Sequence, residues 1–551
     1  MALIPSDYFS LTTMAEAEIN IEKVFKNMMF GKNTTECGYF PERQAENILT
    51  YFDWLDAGAA DAENAARSDS SAAANPAVEK LDCIVYERLL HQGFRRYSSM
   101  AYNTRCQNCR ECIPIRIPVK TFAPSKSQRR ILHKNEDVEV IITANPADFC
   151  TDEKALMYRN YYNHHNEGTA GFNRLSLQEA AEDLKNMNGG YSGVINLDYK
   201  LKGQLIGVSI LDYVFDAQGF ITGLSSNYFY YDISEEVLKR SIGVYSVLVE
   251  INFCLQNHFP YYYLGLYLPH CRKMNYKANY KPYQLLLNRI WTNSPGLEQC
   301  PQVLENYLRV EDEKSRGARS CKIDTSDIFE FPAPGLIYGY DEISLVTDNI
   351  PLRLLYSAYN QGVFPWFNED QSEPVLWQSP KKRFVIPIRQ LHVSKSIEKF
   401  LKHNPYTYTI DKAFGDVIKN CAKQKRPDQI GTWIGPKMIK AYKKFHKAGY
   451  AHSIEAWKDG KLVGGFYGIL LGSVFCGESM FTIEPNSSKS AFVLFARAFQ
   501  KAGGKLIDCQ TYTENMARYG AREITRKQYL AKLDKYKQVP LKCEIKNLFD
   551  L

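Results

Sequence analysis

A weak internal repeat constrains this chain more than any other feature. Residues 198–231, DYKLKGQLIGVSILDYVFDAQGFITGLSSNYFYY, are followed by SEEVLKRSIGVYSVLVEINFCLQN and then FPYYYLGLYL. Residues 455–481, EAWKDGKLVGGFYGILLGSVFCGESMF, are followed by SSKSAFVLFARAFQKAG and then GKLIDCQTY. Each series reads as hairpin strands, a helix and a buried strand. Gly203–Gly207 corresponds to Gly460–Gly464. Asp459-Gly460 suits a two-residue turn, because glycine tolerates positive φ. Val244, Val247, Leu248 and Ile251, and likewise Phe492, Phe495 and Phe499, recur at helical spacing behind serine-rich caps. A chain that repeats such a series folds as two similar α+β domains. The Pro-, Gly- and charge-rich stretch from Thr292 to Gly335 divides them. The expected segments are 1–135, rich in Cys and Arg, 136–292, a linker over 293–334, and 335–551.

The β-β-β-α-β order resembles the core of the GNAT acyltransferases, so tandem GNAT-like domains are expected, each a mixed sheet flanked by helices. GNAT enzymes that use acyl-CoA hold its pyrophosphate on a glycine-rich loop at a helix N-terminus. Here that loop is only approximated by Arg240-Ser-Ile-Gly243-Val-Tyr245, and Ser487–Ser490 has no glycine pair. This fits an acyl carrier whose ester is held by its own 3′ end. Between Leu81 and Lys134 stand eleven Lys or Arg against three Asp or Glu, interleaved with Phe94, Tyr97, Tyr102 and Phe122, in a chain of net charge only +7. Cations that neutralise phosphates and rings that stack on bases read as an RNA-contacting surface. No apolar run is long enough to span a membrane, and the first residues lack a secretory pattern, so a cytoplasmic protein with reduced cysteines is expected.

Residues 335–551 resemble the leucyl/phenylalanyl-tRNA–protein transferases. The resemblance rests on GVFPWF (362–367), VLWQSP (375–380), GTWI (431–434), MIKAYKKFHKAGYAHSIEAW (438–457), GKLVGGFYG (460–468), FCGESMF (475–481), SKSAF (488–492) and LIDCQ with YGAREI (506–524). It implies transfer of leucine or phenylalanine from Leu-tRNA or Phe-tRNA to proteins beginning with Lys or Arg, which marks them for degradation, with no cofactor required. It assigns the transfer centre to Asp508, Gln510 and Glu478. Gln510 would orient the amine or ester, Asp508 would hold Gln510 or assist proton movement, and Glu478 would recognise amino groups. Trp366 and Trp433 would stack on the terminal adenosine or wall the cleft, and Tyr442 would add a hydroxyl. Phe466, Phe475, Met480, Phe492, Phe495 and Ile507 would line the amino-acid pocket.

Residues 36–290 resemble the bacterial aspartate/glutamate leucyltransferases, relatives of the arginyl-tRNA–protein transferases. The matching stretches are CGYFPERQA (37–45), LLHQGFRRYSSMAYNTRCQNCRECIPIRIPVKTF (89–122), PSKSQRR (124–130), RSIGVY (240–245), YYYLGLYL (261–268) and CRKMNYKANYKP (271–282). The resemblance implies leucine transfer to proteins beginning with Asp or Glu, with arginine transfer as the alternative. An acidic acceptor needs a cation, and Arg95, Arg96, Arg116, Arg129 and Arg130 are the candidates. Lys273, Tyr276 and Lys277 are expected near the tRNA 3′ end. The whole would be a monomeric fusion of two transferases. A tRNA-dependent ligase of peptidoglycan cross-bridges, or a zinc-stabilised RNA-binding protein, are the competing readings. Cys106, Cys109 and Cys112 lie three apart, and Cys37 could supply a fourth thiolate for zinc or an iron–sulfur cluster. The relatives' first motif has two cysteines, the second replaced here by Phe40.

Overall fold

A computed structural model describes residues 28, 30–40, 43–52, 81–168, 172–309, 323–367, 373–424 and 434–550. Trp433 and the low-complexity run 57–77 lie outside the described residues. The chain divides into two compact units, one reaching Glu298 with Leu308–Val310, the other made of Gln299–Tyr307 and Glu311–Leu551. Among the described residues no helix is long and apolar enough to cross a membrane.

Unit 1 opens with β1 (Gly31–Glu36), β2 (Gln44–Tyr51), α1 (Leu81–His91), β3 (Arg95–Tyr97) and β4 (Met100–Thr104). The strands form a small sheet in the order β1-β2-β4-β3. There follow β5 (Ile113–Pro118), α2 (Lys126–Lys134), β6 (Val138–Thr143), α3 (Asp152–Asn166), α4 (Leu177–Asn188), β7 (Val194–Leu201), β8 (Gln204–Phe215), β9 (Ile221–Tyr231), α5 (Ile242–Gln256), β10 (Tyr261–Tyr267), β11 (Gln284–Leu287) and β12 (Ile290–Asn293). The large sheet runs β12-β11-β5-β10-β9-β8-β7-β6. Every residue of β8 after Gln204 is buried, as a strand covered on both faces requires. Helix α5 crosses between β9 and β10, which among the described residues are the parallel pair of this sheet, and is apolar almost all round because the sheet and α2 both pack on it.

Unit 2 runs β13 (Ile343–Thr347), α6 (Leu352–Asn360), β14 (Phe364–Trp366), β15 (Val375–Gln378), β16 (Lys382–Pro387), α7 (Lys395–Lys402), β17 (Thr407–Ile410), α8 (Phe414–Lys423), α9 (Pro436–Lys447), β18 (Ala451–Lys458), β19 (Lys461–Leu471), β20 (Val474–Thr482), α10 (Ser487–Lys501), β21 (Leu506–Asp508), β22 (Arg522–Thr525) and α11 (Arg526–Lys537). Its sheets run β13-β15-β14 and β17-β18-β19-β20-β21-β16-β22.

The duplication reaches much further than the repeat read from the sequence. β13-β15-β14 repeats β2-β4-β3, and β17 to β16 repeats β6 to β5 in the same order. Helices α1 and α6 both end at Gln-Gly, with Gly93 at φ +91° and Gly362 at +71°. Ile117-Pro118-Val119 and Ile386-Pro387-Ile388 lead into short turns, and Ser125 and Ser394 then cap α2 and α7 in the same way. The expected β-β-β-α-β set is present in both units, inside a longer repeated series.

Candidate active site

The repeated fold parts a parallel pair of strands at the same place in each unit. β9 and β10 pair only over Gly223–Ser225 with Tyr261–Tyr263. β20 and β21 pair only over Val474–Cys476 with Leu506–Asp508. Beyond these three residues the parallel strands part. The carboxyl ends of strands beside such a crossover are where a sheet presents side chains to a ligand. Counting two residues past the last pair matches Asn227 with Glu478 and Gly265 with Gln510.

In unit 2 that position is a hydrogen-bonded network. The Gln510 side-chain amide donates to Glu478 Oε1 at 2.5 Å. The Tyr359 hydroxyl donates to the same oxygen at 2.6 Å, and the Tyr442 hydroxyl to Oε2 at 3.2 Å. The two hydroxyls also meet each other. Burial pushes the Glu478 pKa up to about 7, and the tyrosine hydrogen bonds oppose that rise. Asp508 is fully buried and saturated. Arg383 donates twice, at 2.9 and 2.7 Å, Tyr529 donates at 2.7 Å, and the backbone amide of Gln510 at 2.9 Å. Gln510 has φ +61°, a left-handed conformation that its neighbours must hold. Its carbonyl accepts from the Phe384 amide.

Phe466, Phe475, Phe492, Phe495 and Ile507 all join one core cluster, each at most 3% exposed. Phe475 and Phe495 have ring centroids 4.6 Å apart, and Phe466 lies 5.5 Å from Phe495 and 5.8 Å from Phe492. Met480 packs on this cluster while remaining half-buried. Trp366 ends β14 with 36% of its surface exposed.

In unit 1 the cleft is a cavity of about 730 Å³. Its polar lining includes Arg95, Lys277, Glu250, Asn227 and Tyr276. Arg95 donates to the Ser226 carbonyl at 2.5 Å. Burial, and then the nearby Arg95 charge, pull the Lys277 pKa down to about 7. Burial pushes Glu250 up to about 7, although Ser209 donates to it at 2.6 Å and Tyr262 donates to its other oxygen. The other proposed cations are elsewhere. Arg96 is buried and committed to Asp212 through two bonds of 2.9 and 2.7 Å and to the carbonyls of Ser98, Gly189 and Met187. Asn227 donates to the same Asp212 at 2.9 Å. Arg116 stacks on Tyr261 and Trp291, at 3.6 and 4.3 Å, and donates to Gln284 at 2.7 Å. Arg129, Arg130 and Lys273 are exposed, Arg129 donating to the Pro124 carbonyl.

The four-thiolate metal site is corrected. Cys37 follows β1, whereas Cys106, Cys109 and Cys112 lie between β4 and β5. Burial, and then the neighbouring Cys109, Cys106 and Cys37, push the Cys112 thiol up, and Arg43 donates to Cys109 Sγ at 3.6 Å. Yet among the described residues no group of three or more His, Cys, Asp or Glu side chains could hold a metal ion. Cys112 turns instead into an apolar cluster with Phe40, Leu266, Leu268, Cys271 and Met274.

Tyr359, Arg383, Tyr529, Asp212 and Glu250 went unread in the sequence. Lone acids in apolar runs, as in ILDYV and VEINF, were the available signal, since a buried charge needs a partner.

Comparison with known proteins falls along the same division. Residues 385–534 match the family profile described as leucyl/phenylalanyl-tRNA protein transferase, and residues 348–381 match the profile of its N-terminal domain. Residues 35–130 and 153–287 match the N- and C-terminal profiles of arginine-tRNA-protein transferase. A leucyl/phenylalanyl-tRNA–protein transferase of Anaeromyxobacter sp. (strain Fw109-5) is 47% identical over 203 residues, 37% of this chain and 85% of the relative. One of Yersinia pestis (strain Pestoides F) is 44% identical over 222 residues, 40% of this chain and 92% of the relative. Among solved structures, L-PGS from Bacillus licheniformis aligns at TM-score 0.20 and 10% identity, covering 33% of this chain and 50% of that one. FemX aligns at TM-score 0.21 and 7% identity, covering 45% and 82%.

Proposed function

The chain belongs to the leucyl/phenylalanyl-tRNA–protein transferase family through residues 348–534 and to the arginine-tRNA–protein transferases through residues 35–287, and from that premise we propose that its two clefts serve protein N-termini of opposite charge. Unit 2 transfers leucine or phenylalanine from tRNA to proteins beginning with Lys or Arg. Unit 1 transfers leucine from tRNA to proteins beginning with Asp or Glu. One observation carries this reading: the carboxyl group of unit 2 has no counterpart at the matched position of unit 1, whose cavity is lined by basic side chains. Where unit 2 has Glu478 and an uncharged Gln510, unit 1 has Asn227 and Gly265, with Arg95 and Lys277 lining the cavity. A carboxylate suits a cationic acceptor, and the Arg95 guanidinium suits an acidic one.

The chemistry is aminolysis. The acceptor's α-amine attacks the carbonyl carbon of the aminoacyl ester, the bond to the ribose oxygen breaks, and the proton lost by the amine ends on that oxygen. An α-amine has a pKa of about 7.7–8.0, so part of it is neutral at physiological pH. Orientation then supplies most of the acceleration. In unit 2, Gln510 is set by Glu478 on one side and by the Asp508 carboxylate beneath its backbone amide. Asp508 already accepts four hydrogen bonds, one of them from the Gln510 backbone amide, and so holds Gln510 in place. Tyr359 and Tyr442 keep Glu478 turned toward Gln510. Met480, at the edge of the phenylalanine cluster, is the place where an apolar side chain would enter.

The test is transfer by the full chain from labelled Leu-, Phe- and Arg-tRNA to peptides beginning with Arg or Asp. Transfer of Leu and Phe to the Arg peptide and of Leu to the Asp peptide is expected. Failure of either arm removes that unit's assignment. The arginine-tRNA–protein transferase profiles favour a second reading, arginine transfer by unit 1. Against it, a cavity lined by Arg95 and Lys277 repels a guanidinium. The Arg-tRNA arm separates the two.

A further inference from the structure

Matching the clefts by strand pairing identifies what occupies, in unit 1, the place of Gln510. Gly265 and Gln510 both stand two residues past the last parallel pair, and both are left-handed, at φ +90° and +61°. Each faces the equivalent neighbouring strand of its own unit. Gly265 lies opposite Ile115 of β5, and the Gln510 carbonyl accepts from Phe384 of β16. Gly265 has no side chain to offer. A Cβ built on it would stand 3.0 Å from Lys277 Nζ and 3.5 Å from Arg95 Nη2. The amine of Lys277, reaching back from the turn Asn275–Asn279, therefore enters the space from which the Gln510 side chain departs. Gly265 is needed both for its backbone angle and for this approach.

We propose that Lys277 is the group in unit 1 that meets the attacking amine, taking its proton and returning it to the leaving ribose oxygen. The proposal rests on the reading of unit 1 as an aminoacyl-tRNA–dependent transferase. The balance is closed: the amine nitrogen bonds to the ester carbon, the carbon–ribose oxygen bond breaks, the neutral Lys277 amine carries one proton from nitrogen to oxygen, and it ends neutral. Only a lysine that is neutral for part of the time can do this. Burial, and then the neighbouring Arg95 charge on β3, provide it; Glu250 on α5 and Tyr39, Tyr102, Tyr161, Tyr228, Tyr231 and Tyr276 are the other titratable groups around the cavity. Arg95 is the cation left for an acidic acceptor.

Unit 2 in the same chain is the internal control, since Lys277 takes no part in its network. Lys277→Met and Lys277→Gln are assayed for transfer to an Asp peptide and an Arg peptide, with the charged tRNA that the wild-type chain uses for each. Lys277→Met is expected to lose at least about 100-fold in kcat with the Asp peptide, within the range for a proton-transfer group, while the Arg peptide is served as before. Lys277→Gln, which places in the cleft the side chain that unit 2 uses, is expected to retain more activity than Lys277→Met. In the wild type, kcat with the Asp peptide should rise through an inflection near pH 7, which Lys277→Gln should abolish. Each of three results overturns the proposal: either variant within threefold of wild type, a loss confined to KM for the charged tRNA, or an inflection that survives in Lys277→Gln. A variant that merely folds poorly would keep its inflection at reduced amplitude, which also counts against Lys277. Should the wild type serve no Asp peptide from any charged tRNA, the reading of unit 1 falls, and the role of Lys277 with it.

Discussion

The two clefts share a backbone and almost nothing else. Each opens where a parallel pair parts after three residues, and each has a left-handed residue two positions further on. Each also buries a bidentate Arg–Asp pair beneath it, and here the difference is instructive. In unit 2 the aspartate lies on β21 and holds Gln510 through its backbone. In unit 1 it lies on β8 and holds Asn227 through its side chain, with an arginine from β3 as partner. Both units bury such a pair, but each uses it to hold a different residue.

The largest expected effect breaks these pairs one at a time. Removing one partner of a buried ion pair strands the other charge, at a cost of about 3–5 kcal/mol. Arg383→Met should therefore inactivate unit 2 at lower temperature and leave unit 1 unaffected, and Arg96→Met should do the reverse. Thermal inactivation followed with both peptides reads this directly. If either variant inactivates both activities together, the units are not independent.

Next in size is the charge at the matched position. Glu478→Gln keeps the shape and removes the carboxylate, and should lower kcat/KM for Arg peptides about 100-fold, near 2.7 kcal/mol. Its pH signature is distinct. Glu478 and Glu250 both have native pKa values of about 7, above the usual 4.5. The folded state thus binds protons that the unfolded chain releases, so this contribution to stability is complete below about pH 4.5 and is lost as pH rises through about 7. Denaturant melts across pH 4–8 should lose part of that slope in Glu478→Gln and the remainder in Glu250→Gln. An unchanged slope in both variants would mean that neither carboxyl is held protonated.

Much of unit 2 was legible in advance because its polar centre lies on contiguous motifs: Glu478 in CGESMF, Asp508 and Gln510 in LIDCQ, and Tyr442 in MIKAY. Tyr359 and Arg383 were not, since each reaches the centre across another element and nothing local marks it. The arginines of unit 1 were read as one cationic surface. Folding distributes them, and only Arg95 faces the cavity, because Arg96 points to the opposite side of β3 and meets Asp212. The repeat itself was read only where glycines and aromatics align. Sheet order, which depends on pairing rather than residue identity, carries the duplication back to β2 and β13.

A smaller effect is expected at the rim. Tyr97 and Trp366 end β3 and β14 at matched positions, four residues past Gly93 and Gly362, and are 41% and 36% exposed. Stacking on a base is worth about 1–3 kcal/mol. Tyr97→Ala and Trp366→Ala should each raise the charged-tRNA KM of their own unit about 10-fold and leave that of the other unchanged. Equal effects on both peptides would make the rings a shared tRNA surface rather than two separate ones.

The smallest effect tests a difference between the units, the cysteine loop before β5 that the segment between β15 and β16 does not repeat. If Cys109 were one of four thiolates on a metal, Cys109→Ser would cost unit 1 most of its stability, since such sites contribute folding energy outright. The structure gives Cys109 only a long contact from the Arg43 guanidinium, and no converging ligand set among the described residues. Cys109→Ser should therefore change stability by less than about 0.5 kcal/mol, as a partly exposed substitution does, and transfer to the Asp peptide by less than twofold. Iron and zinc measured in the wild type and the variant, purified without air, complete the test. Stoichiometric metal lost on substitution, together with lost activity, would restore the four-thiolate centre and make this loop the one feature of unit 1 with no counterpart in unit 2.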